Sequence, residues 1–347
     1  MRRALRIARR RRRLRAVAVA AAVGALALSA VSLGIVRSRE AATRVDLSTA
    51  APPSSTTART RVLDLPGVHT PWAIAGDGGR SVWVLDRGGQ KGPVVLRFDE
   101  GKAASTSQLP SDAAPEQIVV GTDGGLWMTD PAASRVLRVA RDGRVSALPV
   151  KATPSASAVF AGERLYFAER GAGRITSVDA KGGILHQSLP SGTAPEVVSI
   201  GPDGSVWFGD AVRADVGSIS ASGVPVIYHL ASPDERVLTM SPGPGPALWI
   251  LVRSDHGLRL ARVDGSGRIV EDDVEPSSAA RALSQGPDGR LWFTSGDGTQ
   301  LHRRSLASLS SIDIDRPVRA RSWALSSDGT IWAVDADRNQ VLEVNAP

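Results

Sequence analysis

The chain contains no cysteine, which excludes disulfides and every site that needs a thiolate as metal ligand or nucleophile. Aromatic residues make up only 4% of the sequence, but hydrophobic residues reach 42%, enough for a large core that needs no covalent cross-links. The lack of cysteine therefore does not argue against a location outside the cytoplasm.

The body of the chain also lacks net positive charge. The formal net charge is +7, but nine arginines lie within the first 15 residues, which leaves about −2 (7 minus 9) for the rest. No basic field remains to attract phosphates, so we expect no nucleic-acid binding.

The N-terminus has the pattern of a targeting element. Residues 1–15 form an arginine-rich segment, predicted to be cytoplasmic, and residues 16–36 carry no charge over 21 positions. A helix of that length spans about 32 Å, which matches a bilayer core of about 30 Å. The pattern predicts a single-pass transmembrane anchor in the cell membrane, with everything after it outside the cytoplasm. A cleaved signal sequence and a secreted protein remain the alternative. Residues 37–59 are rich in Ser, Thr, Ala and Pro and are predicted to form a flexible linker.

One aromatic residue recurs about every 41 positions after the linker. The spacings between successive members are 44, 39, 41, 42, 43 and 40 residues. Four members end the same Asp-Gly turn motif, as in Gly201-Pro-Asp-Gly-Ser-Val-Trp207. Such a period is typical of propeller blades, and Asp-Gly favours a tight hairpin turn. We call these residues the repeat aromatics: Trp83, Trp127, Tyr166, Trp207, Trp249, Trp292 and Trp332.

Each repeat has the pattern of four strands, except that the last repeat ends after its third. The segment 60–65 matches the missing fourth strand and precedes the first repeat. The sequence therefore predicts an all-β fold, a seven-bladed β-propeller over residues 60–347. We expect an N-terminal strand in the last blade to close the ring, because closure removes exposed strand edges.

The repeated Gly-Pro-Asp-Gly-x-Leu/Val-Trp block and the Gly-Arg-Ile-Thr segment at 173–176 resemble the virginiamycin B lyase family, over about residues 60–347. The resemblance implies a magnesium-assisted elimination that opens a cyclic depsipeptide ester, with a histidine base and a nearby glutamate. In that family the histidines follow the proline that opens each innermost strand. The corresponding positions here, eleven residues before each repeat aromatic, are called the mouth positions: Trp72, Glu116, Ser155, Glu196, Leu238, Arg281 and Arg321. None is histidine, so the family's catalytic roles are not assigned to these positions. Of the residue types that the resemblance implies, only glutamate is present there, at Glu116 and Glu196.

The mouth positions are nevertheless the predicted ligand site, because all should face one end of the central channel. The predicted ligand-binding residues are Trp72, Glu116, Glu196, Arg281 and Arg321. The residue three past each repeat aromatic should lie level with the mouth position. This pairs Glu116 with Asp130 and Glu196 with Asp210, as oxygen ligands for Mg²⁺ or Ca²⁺. The alternative is that these aspartates cap loops and that Arg321 pairs with Asp335.

Two histidines, His69 and His256, fall in loops on the mouth side and are the candidates for a general base. Each is also compatible with an ordinary loop residue.

Three functional classes follow from this pattern. We expect a membrane-tethered extracytoplasmic module that binds or senses a small molecule or an envelope protein at the propeller mouth. The first alternative is a lyase-like or lactonase-like enzyme that acts on a cyclic ester with a divalent cation. The second is an assembly scaffold for envelope proteins.

Overall fold

Four-stranded antiparallel sheets make up the described part of the chain. The computed structural model describes residues 57–345 apart from residues 78, 89–90, 152, 221–222, 256, 265, 274–282, 287, 296, 327 and 336. These residues form seven four-stranded sheets, and contacts between first strands run from the first sheet to the sixth and from the last sheet back to the first. The predicted all-β, seven-bladed propeller is confirmed.

The strands of each blade follow the chain from the centre outwards. Blade one comprises β2 (Pro71–Gly76), β3 (Ser81–Asp86), β4 (Val94–Asp99) and β5 (Lys102–Gln108). Blade two comprises β6 (Val119–Val120), β7 (Leu126–Asp130), β8 (Arg135–Val139) and β9 (Val145–Pro149). Blade three comprises β10 (Ala158–Ala161), β11 (Arg164–Glu169), β12 (Arg174–Asp179) and β13 (Ile184–Ser188). Blade four comprises β14 (Pro195–Ile200), β15 (Val206–Asp210), β16 (Asp215–Ile219) and β17 (Pro225–His229). Blade five comprises β18 (Arg236–Pro242), β19 (Ala247–Ser254), β20 (Gly257–Asp264) and β21 (Ile269–Asp273). Blade six comprises β22 (Leu283–Gln285), β23 (Leu291–Thr294), β24 (Gln300–Arg304) and β25 (Leu309–Asp313). Blade seven comprises β26 (Ser322–Leu325), β27 (Thr330–Asp335), β28 (Gln340–Asn345) and the N-terminal β1 (Arg59–Leu63). Single 3-10 turns lie at Pro131–Ala133 and Arg170–Ala172.

The Asp-Gly motif forms the turn between the first two strands of a blade. In blade two, the Asp123 carboxylate accepts a hydrogen bond from the Gly125 N–H at 2.9 Å. Gly124 has a φ of 68°, a left-handed conformation that favours glycine. The motif therefore fixes the hairpin locally, before any contact between blades is considered.

The repeat aromatics pack between neighbouring blades, as predicted. Trp83 of blade one is 1% exposed and lies in a cluster with Leu126 and Leu137 of blade two. At the other end of the chain, Trp332 of blade seven packs with Ile74 and Val82 of blade one. Each blade therefore buries an apolar face against the next, which an isolated four-stranded sheet has no means of doing.

The ring closes through its N-terminal strand, and this prediction is confirmed. β1 pairs with β28 in antiparallel register, from Arg59 opposite Asn345 to Leu63 opposite Val341. The Thr60 N–H donates to both carboxylate oxygens of Asp315 at 3.0 and 3.1 Å. Ala58 is fully buried and bridges to Ile314, so the last two residues of the predicted linker belong to the propeller.

The N-terminal targeting prediction concerns residues that lie outside the described range. Residues 1–56, with the basic segment, the apolar segment 16–36 and most of the linker, are not described. Within residues 57–345, as far as they are described, no helix is long and apolar enough to cross a bilayer.

Candidate functional site

A cavity of about 910 Å³ opens at the end of the propeller where the innermost strands begin. Residues from all seven blades line it, because the chain enters every innermost strand at this end. Four of the five predicted ligand-binding residues lie in its wall: Trp72, Glu116, Glu196 and Arg321. The fifth, Arg281, lies outside the described residues. The volume is that of a small-molecule site.

Trp72 stacks with two arginines at this mouth. The guanidinium carbon of Arg321 lies 3.4 Å from the ring centroid, and that of Arg87 lies 3.7 Å from it. Trp72 follows Pro71 at a register shift in the pairing of β2 with β3, so it leaves the regular ladder as a β-bulge. The predicted aromatic surface for a ligand is therefore already occupied by cationic groups within the protein.

Glu116 connects all three residues of this stack. Its Oε1 accepts from Arg87 Nη2 at 3.1 Å, and its Oε2 accepts from Arg321 Nη2 at 2.9 Å. The Trp72 Nε1–H donates to Oε2 at 3.3 Å. The side chains of Arg87, Glu116 and Arg321 are 23%, 38% and 40% exposed, so these charge-assisted bonds are only partly screened by water. We call Arg87, Trp72, Arg321 and Glu116 the mouth cluster.

Arg321 does not pair with Asp335, which corrects that alternative. Asp335 is fully buried, and its Oδ2 accepts from Arg338 at 2.7 Å. Arg321 reaches across from blade seven to Glu116 of blade two instead.

Glu196 repeats the arrangement of Glu116 in a simpler form. Arg170 of blade three donates to Glu196 at 3.3 Å, and both side chains are about half exposed. Arg170 and Arg87 each lie four residues after a repeat aromatic, in the blade that precedes the glutamate. Sequence reasoning missed both arginines, although an arginine at this position just before a mouth glutamate is a signal that could have found them.

Asp130 and Asp210, two of the four predicted metal ligands, are buried and cap loops. Asp130 accepts from the Ala114 N–H at 3.2 Å and from Arg135 Nε at 2.8 Å. Asp210 Oδ2 accepts from the Ala194 N–H at 2.8 Å. Its Oδ1 accepts from the N–H groups of Val212 and Arg213 at 2.7 and 2.8 Å. Neither aspartate is among the residues that line the cavity.

The donor set of the described mouth residues does not fit a divalent cation. Mg²⁺ and Ca²⁺ require several oxygen ligands directed at one point. In the described part of the chain, no three Asp, Glu or His side chains converge in this way. Glu116, a carboxylate in the cavity wall, is bound by guanidinium groups.

The described histidines lie away from the cavity. His69 is exposed, and its backbone N–H donates to Asp86, but it is not part of the cavity wall. His256, the other candidate base, is outside the described residues. The remaining three bond to outer-strand or third-strand partners: His186 to Thr176, His229 to Asp215 and His302 to Ser311. The described wall of the cavity thus contains no histidine.

The fold and the mouth define a class: a seven-bladed β-propeller with a polar, ligand-sized cavity at one end of its central channel. The model of the virginiamycin B lyase family matches residues 65–344, which is most of the chain. The protein belongs to this family, and the resemblance stated from the sequence is confirmed.

Similar proteins support the family and the fold. Virginiamycin B lyase of Nocardia farcinica is 31% identical over 143 residues, which are 40% of this chain and 49% of that protein, so the match spans about half of the relative. The structure of a selenomethionine virginiamycin B lyase from Staphylococcus aureus aligns over 84% of this chain and 99% of its own, with a TM-score of 0.71 and 20% identity. A histidine-to-alanine variant of the same lyase, described as catalytically inactive, with quinupristin, aligns over 83% and 99%, with a TM-score of 0.69 and 21% identity.

Proposed function

We propose that this protein is a binding propeller that holds a small ligand in the mouth cavity and does not open cyclic depsipeptides. The observation that carries the proposal is the mouth cluster. Glu116, one of the two glutamates at mouth positions, bonds to two arginines and is not paired with a histidine. An elimination needs a base within hydrogen-bond reach of the proton it removes.

The comparison with the inactive relative supports this assignment. Loss of one histidine accompanies loss of activity in the Staphylococcus aureus lyase variant. Among the described wall residues of the present chain, no histidine takes part. The seven-bladed scaffold, by contrast, is complete. This combination favours a protein that binds a ligand in the family's fold without the family's chemical reaction.

The location stays a proposal drawn from the sequence alone. The arginine-rich segment and the uncharged residues 16–36 support a propeller tethered outside the cytoplasm by a single-pass anchor. A small molecule or an envelope protein at the mouth is the partner that fits this placement.

The first test asks whether the protein turns over quinupristin. The purified protein is incubated with quinupristin, with and without Mg²⁺, and ring opening is followed by mass spectrometry. We expect no product above a protein-free control. Product formation that is lost in Glu116→Gln would overturn the proposal and restore the lyase assignment.

The second test asks whether the cavity binds ligands. Thermal melting is measured with a panel of cyclic depsipeptides, lactones, sugars and small carboxylates. Ala156 is exposed in the cavity wall, so Ala156→Trp fills part of the cavity and serves as the blocked variant. A ligand at 100 times its Kd stabilises the native state by about 2.7 kcal/mol. We expect the panel to raise the melting temperature of the wild type but not of the blocked variant. An equal rise in the two proteins, or no rise in either, would exclude the mouth as the binding site.

A further inference from the structure

The mouth cluster already shows a carboxylate bound between two guanidinium groups. Each oxygen of Glu116 takes one arginine, Arg87 on Oε1 and Arg321 on Oε2. Two positive charges therefore face one negative charge, and the pair of arginines carries the same +2 charge that a divalent cation would supply.

Arg321 is the member of the cluster that a ligand can reach. It lines the cavity and is 40% exposed, whereas Arg87 is 23% exposed and is not part of the wall. Among the described residues, Glu116 is the one hydrogen-bond partner of the Arg321 guanidinium. A guanidinium group carries five N–H donors, so Arg321 retains donors for a second acceptor.

Arg319 adds a further cation beside Arg321. Arg319 and Arg321 both line the cavity, and Ala320 between them is 1% exposed. Both arginines therefore place positive charge in the same part of the wall. Asp337 is an acid in the same part of the wall. With Arg87 included, three arginines on this side face two carboxylates, Glu116 and Asp337, which leaves one positive charge in excess.

We infer that Arg321, held over the ring of Trp72, anchors a subsite for the carboxylate of a ligand, and that no divalent cation takes part in this recognition. The planar guanidinium group binds a carboxylate through two parallel hydrogen bonds. Stacking on Trp72 at 3.4 Å orders the arginine before the ligand arrives, which lowers the entropic cost of binding. Glu116 offsets one of the two positive charges and competes with the ligand carboxylate for Arg321. The inference rests on the proposed binding function and names its ligand class.

Calorimetric titration with benzoate tests the subsite, with benzamide as the neutral isostere and inorganic phosphate as a second anion. We expect benzoate to bind, benzamide to bind at least tenfold more weakly, and EDTA to have no effect. Binding of benzamide as tight as that of benzoate would overturn the inference. Tighter binding of phosphate would assign the site to phosphate instead.

Two substitutions with opposite expected effects on benzoate binding distinguish a local change at the subsite from misfolding of the variant. Arg321→Gln removes the anchor and should weaken benzoate binding at least tenfold. Glu116→Gln removes the competing carboxylate and should tighten benzoate binding several-fold, a gain that an unfolded variant does not produce. Weaker binding in Glu116→Gln, or unchanged binding in Arg321→Gln, would refute the assignment.

Arg138→Gln is the matched control. Arg138 also lies over a tryptophan, Trp127 at 5.4 Å, and pairs with a carboxylate, Asp123 at 2.6 Å, but it does not line the cavity. Its loss should leave benzoate binding within about twofold of the wild type, and an equal loss in both arginine variants would mean that the effect is not local.

The outcomes also separate this inference from the proposed function. Ring opening of quinupristin would defeat the proposed function whatever benzoate does. If neutral compounds raise the melting temperature of the wild type but not of Ala156→Trp, and benzoate does not bind, the proposed function stands and only the inferred ligand class is wrong.

Discussion

Replacement of Asp210 by asparagine distinguishes a loop cap from a metal ligand. The buried carboxylate accepts three backbone N–H groups, those of Ala194, Val212 and Arg213. Asparagine retains one oxygen, enough for the two N–H groups on Oδ1, but places an NH₂ group against the Ala194 N–H. One hydrogen bond to a charged group is lost, at about 1.5–3 kcal/mol, and a buried donor remains unsatisfied, at about 1–3 kcal/mol. We expect a total loss of about 3 kcal/mol.

Thermal or denaturant unfolding measures this loss. A domain of this size loses about 2 °C in Tm per kcal/mol, so Asp210→Asn should lower Tm by about 6 °C. The loss should be equal in EDTA and in excess Mg²⁺. Asp203→Asn, in the exposed turn of the same blade, is the control, because Asp203 bonds only to Ser205 among the described residues. A change below about 1 kcal/mol is expected there. A loss at Asp210 that appears only with Mg²⁺ would refute the loop-cap reasoning and support a metal site.

Two further predictions concern acid stability and ring closure. The Ser326 hydroxyl and the Thr330 N–H lower the pKa of Asp328 to about 2, so this acid stabilises the native state above about pH 4, and that contribution is lost as the pH falls toward 2. Asp328→Asn should therefore flatten the acid limb of the curve of stability against pH, and an unchanged limb would exclude this role. Leu65 is 6% exposed in the cluster between blades seven and one, and Leu65→Ala should cost about 2–5 kcal/mol and lower the Tm of the whole ring. Val62→Ala, at a residue 42% exposed on β1, should cost under about 1 kcal/mol; equal costs at the two positions would contradict the closure argument.

The sequence was sufficient for the fold because each blade is specified by local chemistry. The Asp-Gly turn at Asp123 and Gly124 recurs before four of the repeat aromatics, and an aromatic residue equivalent to Trp127 recurs in all seven blades. The closing strand was predicted from the number of strands in each repeat. The last repeat lacks a fourth strand, and the segment before the first repeat has the pattern of a strand without a partner in its own repeat.

The site was predicted less completely because its contacts depend on details of register. The prediction placed the residue three past each repeat aromatic level with the mouth position. In blades one and four, however, Asp86 and Asp210 pair with Pro71 and Pro195, and the mouth residue is displaced by a register shift. Each aspartate therefore ends its strand opposite the proline, where its carboxylate caps the loop that enters the innermost strand.

The arginine partners were missed for a different reason. Arg87 and Arg170 reach glutamates of the next blade, and the pairing depends on how closely two blades approach. The spacing along one blade carries no information on that distance.

Closure by the N-terminal strand also constrains the order in which the protein folds. Arg59 pairs with Asn345, so a ribosome must add about 290 residues after the first strand before its partner exists. At roughly 5–20 residues per second, that interval is on the order of 15–60 s. During this time β1 has no strand to pair with, and a bare edge is a site of wrong association. β1 is synthesised before the other strands of the propeller but has its partner only once β28 exists, so ring completion must follow synthesis of nearly the whole propeller.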